Sequence, residues 1–221
     1  MFLGHFGVGL GLKRSAPAVS LGTLFLAAQF IDLLWPSLLL LGVEHVAIDP
    51  SASGPPLRFT HYPYSHSLAF VFGWAVLFGA GFYLLRRSLA GALVCAAAVL
   101  SHWLLDLIVH HPDLPLAPGA DARVGFGLWA SLPATLLIEG LIFVVGLWLY
   151  CRTTDAADRI GRLGFWALMG FLLVIHLANI FGAPPPSVAA VGWVGQAQWL
   201  LVLWAYWVDA HRRVRRPQVS A

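Results

Sequence analysis

Long apolar runs dominate this chain, and few polar residues interrupt them. Stretches of the ~20 apolar residues needed to cross a hydrocarbon core fall at about 18–42, 67–85, 88–109, 127–150, 163–182 and 190–208. These runs are unbroken well beyond the roughly ten alternating residues of a membrane barrel strand, so they predict helices. A shorter apolar segment, 1–12, precedes them and carries Gly4, Gly7, Gly9 and Gly11. It is too short to span alone, and glycine is the residue that, proline apart, most weakens a helix. Lys13 and Arg14 follow the segment rather than lead it, which is not the order of a cleaved signal peptide. The expectation is a re-entrant or interfacial half-helix that stays in the protein. Ser15-Ala16-Pro17 starts the first span, Pro184-Pro185-Pro186 ends the fifth, and Ser65 is a candidate N-cap for the second.

Composition agrees with the pattern. The chain is 59% hydrophobic and 10% charged, with a mean hydropathy of +0.79, whereas soluble domains carry about 25% charge. The predicted class is an all-α polytopic membrane protein with about six transmembrane helices in one domain, 1–221. Residues 1–118 carry the chemistry, 127–208 three further spans, and 209–221 a basic tail. Cys95 and Cys151 imply neither a disulfide framework nor a thiolate cluster.

A net charge of +3 suggests nucleic acid at first sight, but the basic residues are explained by topology and no nucleic-acid partner is expected. On one side lie Lys13, Arg14, Arg86, Arg87, Arg152, Arg159, Arg162, Arg212, Arg213, Arg215 and Arg216; on the other lie only Arg58 and Arg123. This positive-inside bias predicts an inner (plasma) membrane protein with both termini cytoplasmic and with loops 43–66, 110–126 and 183–189 outward. Trp35, Trp129, Trp193 and Trp207 fall near span ends, as an aromatic belt does. The expected partners are membrane lipids, which the Arg-rich tail contacts.

The informative residues are those that are costly in a bilayer. His102 and Asp106 share one helix face at i and i+4. Asp32 interrupts the first span, His66 opens the second, Glu139 sits in the fourth, and His176 and Asn179 in the fifth. Counted from the basic side at ~1.5 Å per residue, Asp32 and His102 lie at roughly 22 Å, Asp106 at about 28 Å, and Glu139 and His176 at roughly 20 Å. One layer in the outer half of the bilayer collects them. His5, about 12 Å above Lys13 by the same rise, needs a displaced half-helix to join. Two carboxylates and two imidazoles make a ligand set for a divalent metal, Zn²⁺ above all. Glu139, His176, Asn179 and His111 are candidates to support the ligands from behind. A lone membrane His or Asn also serves as an interhelical hydrogen-bonding group. Pro63 disfavours helix at Tyr62 and leaves His61 on a loop. His110 continues the Asp106 face. Glu44 and His45 read as interfacial, and Asp49 and Asp121 as ordinary loop acids.

HExxH, GxSxG, P-loop and dinucleotide fingerprints are all missing. The polar positions nevertheless resemble, in order, the predicted membrane-bound metal-dependent hydrolases of the LexA-regulated inner-membrane type. Gly4-His5, Asp32 with Pro36, His61 with His66-Ser67-Leu68, and Ser101-His102 with Asp106 ahead of Leu114-Pro115-Leu116-Ala117-Pro118 match that family's motifs across roughly 1–118. Tyr62-Pro63 stands where the family has Arg-Gly, and Leu34 where it has a second acid. The order is also similar to the zinc-dependent phospholipase C and P1 nuclease group. That likeness implies one zinc on Asp32, His66, His102 and Asp106, and a second metal on His5 bridged by Asp106.

The resulting expectation is a membrane-embedded hydrolase of a phosphoester or other ester of a lipid-like substrate, using one or two divalent ions. Asp106 or Asp32 would act as base, and His61, His110 or His111 would donate a proton to the leaving group. No organic cofactor is expected. The alternatives are a metal or ion carrier or sensor, whose usual repeats are not seen, and a structural protein in which the polar groups are interhelical glue.

Overall fold

The computed structural model describes residues 1–215, so Arg216 lies outside the described part of the chain. The architecture is nearly all helix. Five segments are long and apolar enough to cross a membrane: α5 (Leu68–Arg86), α6 (Leu89–Val109), α7 (Leu132–Thr153), a π-helical turn continuing into α8 (Phe165–Phe181), and α9 (Val188–Gln196) with α10 (Gln198–Ala210). The pair α2 (Leu21–Ala28) and α3 (Phe30–Leu40), bent by 54° at Gln29, makes a sixth if read as one span. Leu77, Leu93, Val144, Trp166 and Leu203 point outward from these helices, as side chains solvated by lipid do.

Serine sets several helix starts. Ser20, Ser67, Ser88 and Ser187 each accept the backbone N–H three residues on, satisfying a donor that the first turn leaves free. Two sequence expectations change here. The first span starts at Leu21 behind Ser20, not at 15–17. The cap of α5 is Ser67, because Ser65 belongs to a separate turn, α4 (Pro63–His66), with Pro63 at its first position.

The glycine-rich start is a helix after all: α1 (Leu3–Leu12) is buried along most of its length and packed chiefly on α7, with α2 and α6 at its sides. It is re-entrant into the bundle rather than interfacial. Its glycines explain both features. A Cβ on Gly146 of α7 would stand 1.9 Å from the Gly7 carbonyl oxygen, and one on Gly7 would stand 2.8 Å from the Ile142 carbonyl oxygen. The two backbones touch, as small residues allow between helices in a membrane, and the packing compensates for the poor helix propensity. Met1 is buried at the inner end of α1.

Three two-stranded antiparallel sheets cap the bundle, and the apolar pattern predicts none of them. At one end β5 (Thr154–Ala156) pairs with β6 (Arg212–Val214). Lys13 is buried there, bonded to the Val19 carbonyl and to Asp209, which Tyr150 also contacts. Arg212 lies over the Tyr150 and Phe165 rings and donates to Thr154 and Gly161. These two basic residues staple helix ends together. At the opposite end β1 (His45–Ile48) pairs with β2 (Leu57–His61), and β3 (Leu114–Pro115) with β4 (Arg123–Val124). Cys95 and Cys151 are both free thiols.

Candidate metal centre

The break at Gln29 builds the floor of the site. It places Asp32 in the first turn of α3 and leaves the Ala28 carbonyl to accept from His102 Nδ1 at 2.9 Å. That bond fixes the imidazole tautomer and leaves a lone pair on Nε2. His66 is fixed in the same way. The Ser65 hydroxyl donates to Glu44 Oε2 at 2.5 Å and accepts from His66 Nδ1 at 2.7 Å. Glu44 also accepts the Tyr64 and Ser65 N–H groups through Oε1. Glu44 is therefore not interfacial. It is buried and anchors α4 and the His66 ring together.

Four atoms then face one another. His66 Nε2 lies 3.6 Å from Asp32 Oδ1 and 3.8 Å from Asp106 Oδ2. His102 Nε2 lies 3.6 Å from Asp32 Oδ1 and 3.2 Å from Asp106 Oδ2. Ligand bonds of ~2.0–2.1 Å at tetrahedral angles separate ligand atoms by roughly 3.3 Å, so the spacing suits ligands that share an ion; His66, His102 and Asp106 lie within mutual ligand reach, and Asp32 groups with His102 and His5. His102 Nε2 is buried and has no hydrogen-bond partner, despite the nearby carboxylates. Lone pairs converging without a donor between them repel unless a cation sits among them.

His5 does reach the cluster. Its ring stacks on His102 with centroids 3.7 Å apart, and Nε2 lies 3.2 Å from Asp106 Oδ1. The Met1 nitrogen contacts the same oxygen at 2.5 Å. Both Asp106 oxygens are thus engaged, on opposite sides. Two overlapping ligand sets result, His5/Asp32/His102 and His66/His102/Asp106, with His102 in both. Of the two acids, Asp32 is the more open, with 22% of its side chain exposed against 2% for Asp106.

The open side faces a cavity of about 560 Å³, which His110, Trp35 and Trp129 also line. Trp35 and Trp129 are thus part of this wall. His110 caps α6, donates through Nδ1 to Asp113 at 2.9 Å, and packs on Trp129 at 4.3 Å between centroids. Nε2 is the nitrogen it has left for chemistry. Tyr62 donates to the same Asp113 oxygen at 3.0 Å. Burial and the Asp113 carboxylate push the Tyr62 phenol above its ordinary range, so it stays a neutral donor.

The remaining candidates lie outside the converging group, although Glu139 and His176 line the same cavity. Glu139 Oε2 accepts from the N–H groups of Phe2, Leu3 and Gly4, which makes it the cap of α1. His176 Nδ1 lies 3.9 Å from Glu139, and Asn179 is exposed farther along the cavity. His111 Nε2 bonds the Ser53 carbonyl and ties down the β1–β2 loop. His61 is exposed at the end of β2, opposite His45, and is not part of the cavity wall. Sequence reasoning gave no role to Glu44 or Asp113. Glu44 acts through Ser65, 21 residues on, and no local pattern signals that; Asp113 stands three residues from His110, a spacing the sequence does show.

Comparison with protein-family models, with curated proteins and with solved structures finds no match for this chain.

Proposed function

We propose that the protein is a membrane-embedded, metal-dependent hydrolase acting on a phosphoester or other ester of a lipid-like substrate. It would lie in an inner (plasma) membrane with its basic end, including the C-terminal segment, in the cytoplasm and the metal centre in the outward half. One observation carries the reading: the Nε2 atoms of His66 and His102 each lie 3.2–3.8 Å from both Asp32 and Asp106, with both imidazoles held at Nδ1 from behind. When bound, a divalent ion supplies a Lewis acid and a water with a pKa near ~7; the nitrogen and oxygen donors favour Zn²⁺.

The chain's residues do the rest. Asp32, the more open carboxylate, stands where the cavity meets the cluster. Asp106 is engaged on both oxygens and serves as a holder rather than a base. His110, held by Asp113 through its Nδ1–H, keeps a lone pair at Nε2, so it would take a proton from the attacking water there and hand that proton on to the leaving group. Trp35, Phe59 and Trp129 form an aromatic wall that keeps bulk water out.

The purified protein, loaded with Zn²⁺, is expected to hydrolyse at least one member of a panel of phosphomonoesters, phosphodiesters and carboxylic esters in detergent. A chelator should abolish that activity, and His110→Asn should lower kcat by about 10²–10⁴. Stoichiometric metal without turnover on any member would instead identify a carrier or sensor. Ser65→Ala is a separate check, since it cuts the link from Glu44 to His66 but keeps the Ser65 backbone bond. Metal affinity should fall by roughly 10–100-fold, the usual cost of losing a group that orients a ligand. Unchanged affinity in a chelator competition would remove the assigned role of Ser65.

A further inference from the structure

The cavity continues away from the metal centre to a gap between α8 and α9. Ala178, Asn179 and Ile180 line it from α8, and Ala190, Val191 and Val194 from α9. Ala178, Asn179 and Val194 are at the same time exposed at the molecular surface, Val194 by 71%. A residue that both lines a cavity and faces outward marks an opening. These residues belong to segments long and apolar enough to cross a membrane, so what lies outside the opening is hydrocarbon rather than water.

The two helices stay apart because each docks elsewhere. α9 lies on α3, where a Cβ on Gly195 would stand 2.4 Å from the Pro36 ring and one on Gly192 2.7 Å from Leu40. α8 is tied to α10, and at its base Phe165 stacks on Tyr150. Val194 lies six residues into α9, about 9 Å by the helical rise, at the end of the bundle away from the basic loops. Asn179 is the only polar residue of the opening, and no Lys or Arg lines the cavity among the described residues. On the loop side, Gly54–Leu57 and Pro185-Pro186 wall the cavity, with Gly54 against Trp129.

We propose that the α8–α9 gap is a lateral portal for a membrane amphiphile. Its apolar chain stays in the outer half of the bilayer, while its polar end enters the cavity toward Asp32 and His110. The substrate class is therefore a chain-bearing lipid whose scissile bond lies next to its headgroup. The catalytic part of this inference rests on the hydrolase reading; the portal itself does not.

The test uses the full-length protein in liposomes containing a phospholipid with a photoactivatable group next to its headgroup, the end that enters the cavity. Crosslinks are expected at Thr135, Glu139 or Val191, cavity positions that this end reaches through the gap. Val194→Trp and Ala178→Trp should each remove those crosslinks while leaving labels on the outer faces of α5 and α6. Labels confined to outer helix faces in the wild type would overturn the portal, whether or not the protein is an enzyme. In the activity arm, Val194→Trp should lower turnover of a long-chain ester by about tenfold or more and spare a short-chain soluble ester. Equal loss on both overturns the portal and leaves the hydrolase standing. Wild-type inactivity on both, with crosslinks present, overturns the hydrolase and leaves a lipid-binding portal.

Discussion

His102→Ala should abolish stoichiometric divalent-metal binding. His102 is the residue common to both ligand sets, and its Nε2 contacts both Asp32 and Asp106. Its loss should exceed the roughly 10–100-fold penalty for removing a group that merely orients a ligand. The wild type should also be stabilised by its ion, by about 2.7 kcal/mol at a free metal concentration of 100 times Kd. A chelator should therefore lower the unfolding midpoint of the wild type and leave that of His102→Ala where it is. His61→Ala, at an exposed position outside the cavity, is the matched control and should bind like the wild type. Elemental analysis and chelator-dependent melting read both effects. A wild type with no metal and no chelator response would mean that protons, not an ion, hold the carboxylates and imidazoles together. Wild-type affinity in His102→Ala would remove the assigned centre altogether.

The sequence made the spans legible because the bilayer demands long apolar runs. Asp32, His66, His102 and Asp106 stood out because ionisable groups at that depth need partners. His5 lies nearer the cluster than its height above Lys13 implies. Lys13 does not mark the interface, because it is itself buried and held by Asp209. A height counted from a point already inside the bundle is too shallow. His61 and His110 looked equivalent until strand register placed one at an exposed end of β2 and the cap of α6 placed the other in the cavity. Glu44 was read as interfacial because a loop acid has no periodicity, and its partner Ser65 lies 21 residues on. The short sheets escaped notice because strands of two to five residues leave no measurable alternation.

Glu139→Ala should be a strongly destabilising single change. One buried carboxylate oxygen accepts three N–H groups, from Phe2 at 3.0 Å, Leu3 at 2.8 Å and Gly4 at 3.3 Å. These are donors that a helix start leaves free, and a negative charge there also favours the positive end of the α1 dipole. With the carboxylate removed, the donors are buried and unpaired at about 1–3 kcal/mol each. Partial relaxation should bring the total to about 3–5 kcal/mol, the range for breaking a buried charged contact. Denaturation in detergent measures this loss, and Glu139→Gln, which keeps one acceptor oxygen, should recover part of it. The change also reaches the candidate metal centre, because α1 carries His5. Released at its first turn, α1 should let His5 leave its stack on His102, and hydrogen exchange at residues 2–5 should accelerate. Asp32, His66, His102 and Asp106 sit on other elements, so metal affinity should fall by roughly tenfold or less, short of the loss in His102→Ala. Unaltered exchange at residues 2–5 with unaltered stability would show that α1 is held by its glycine contacts with α7 alone.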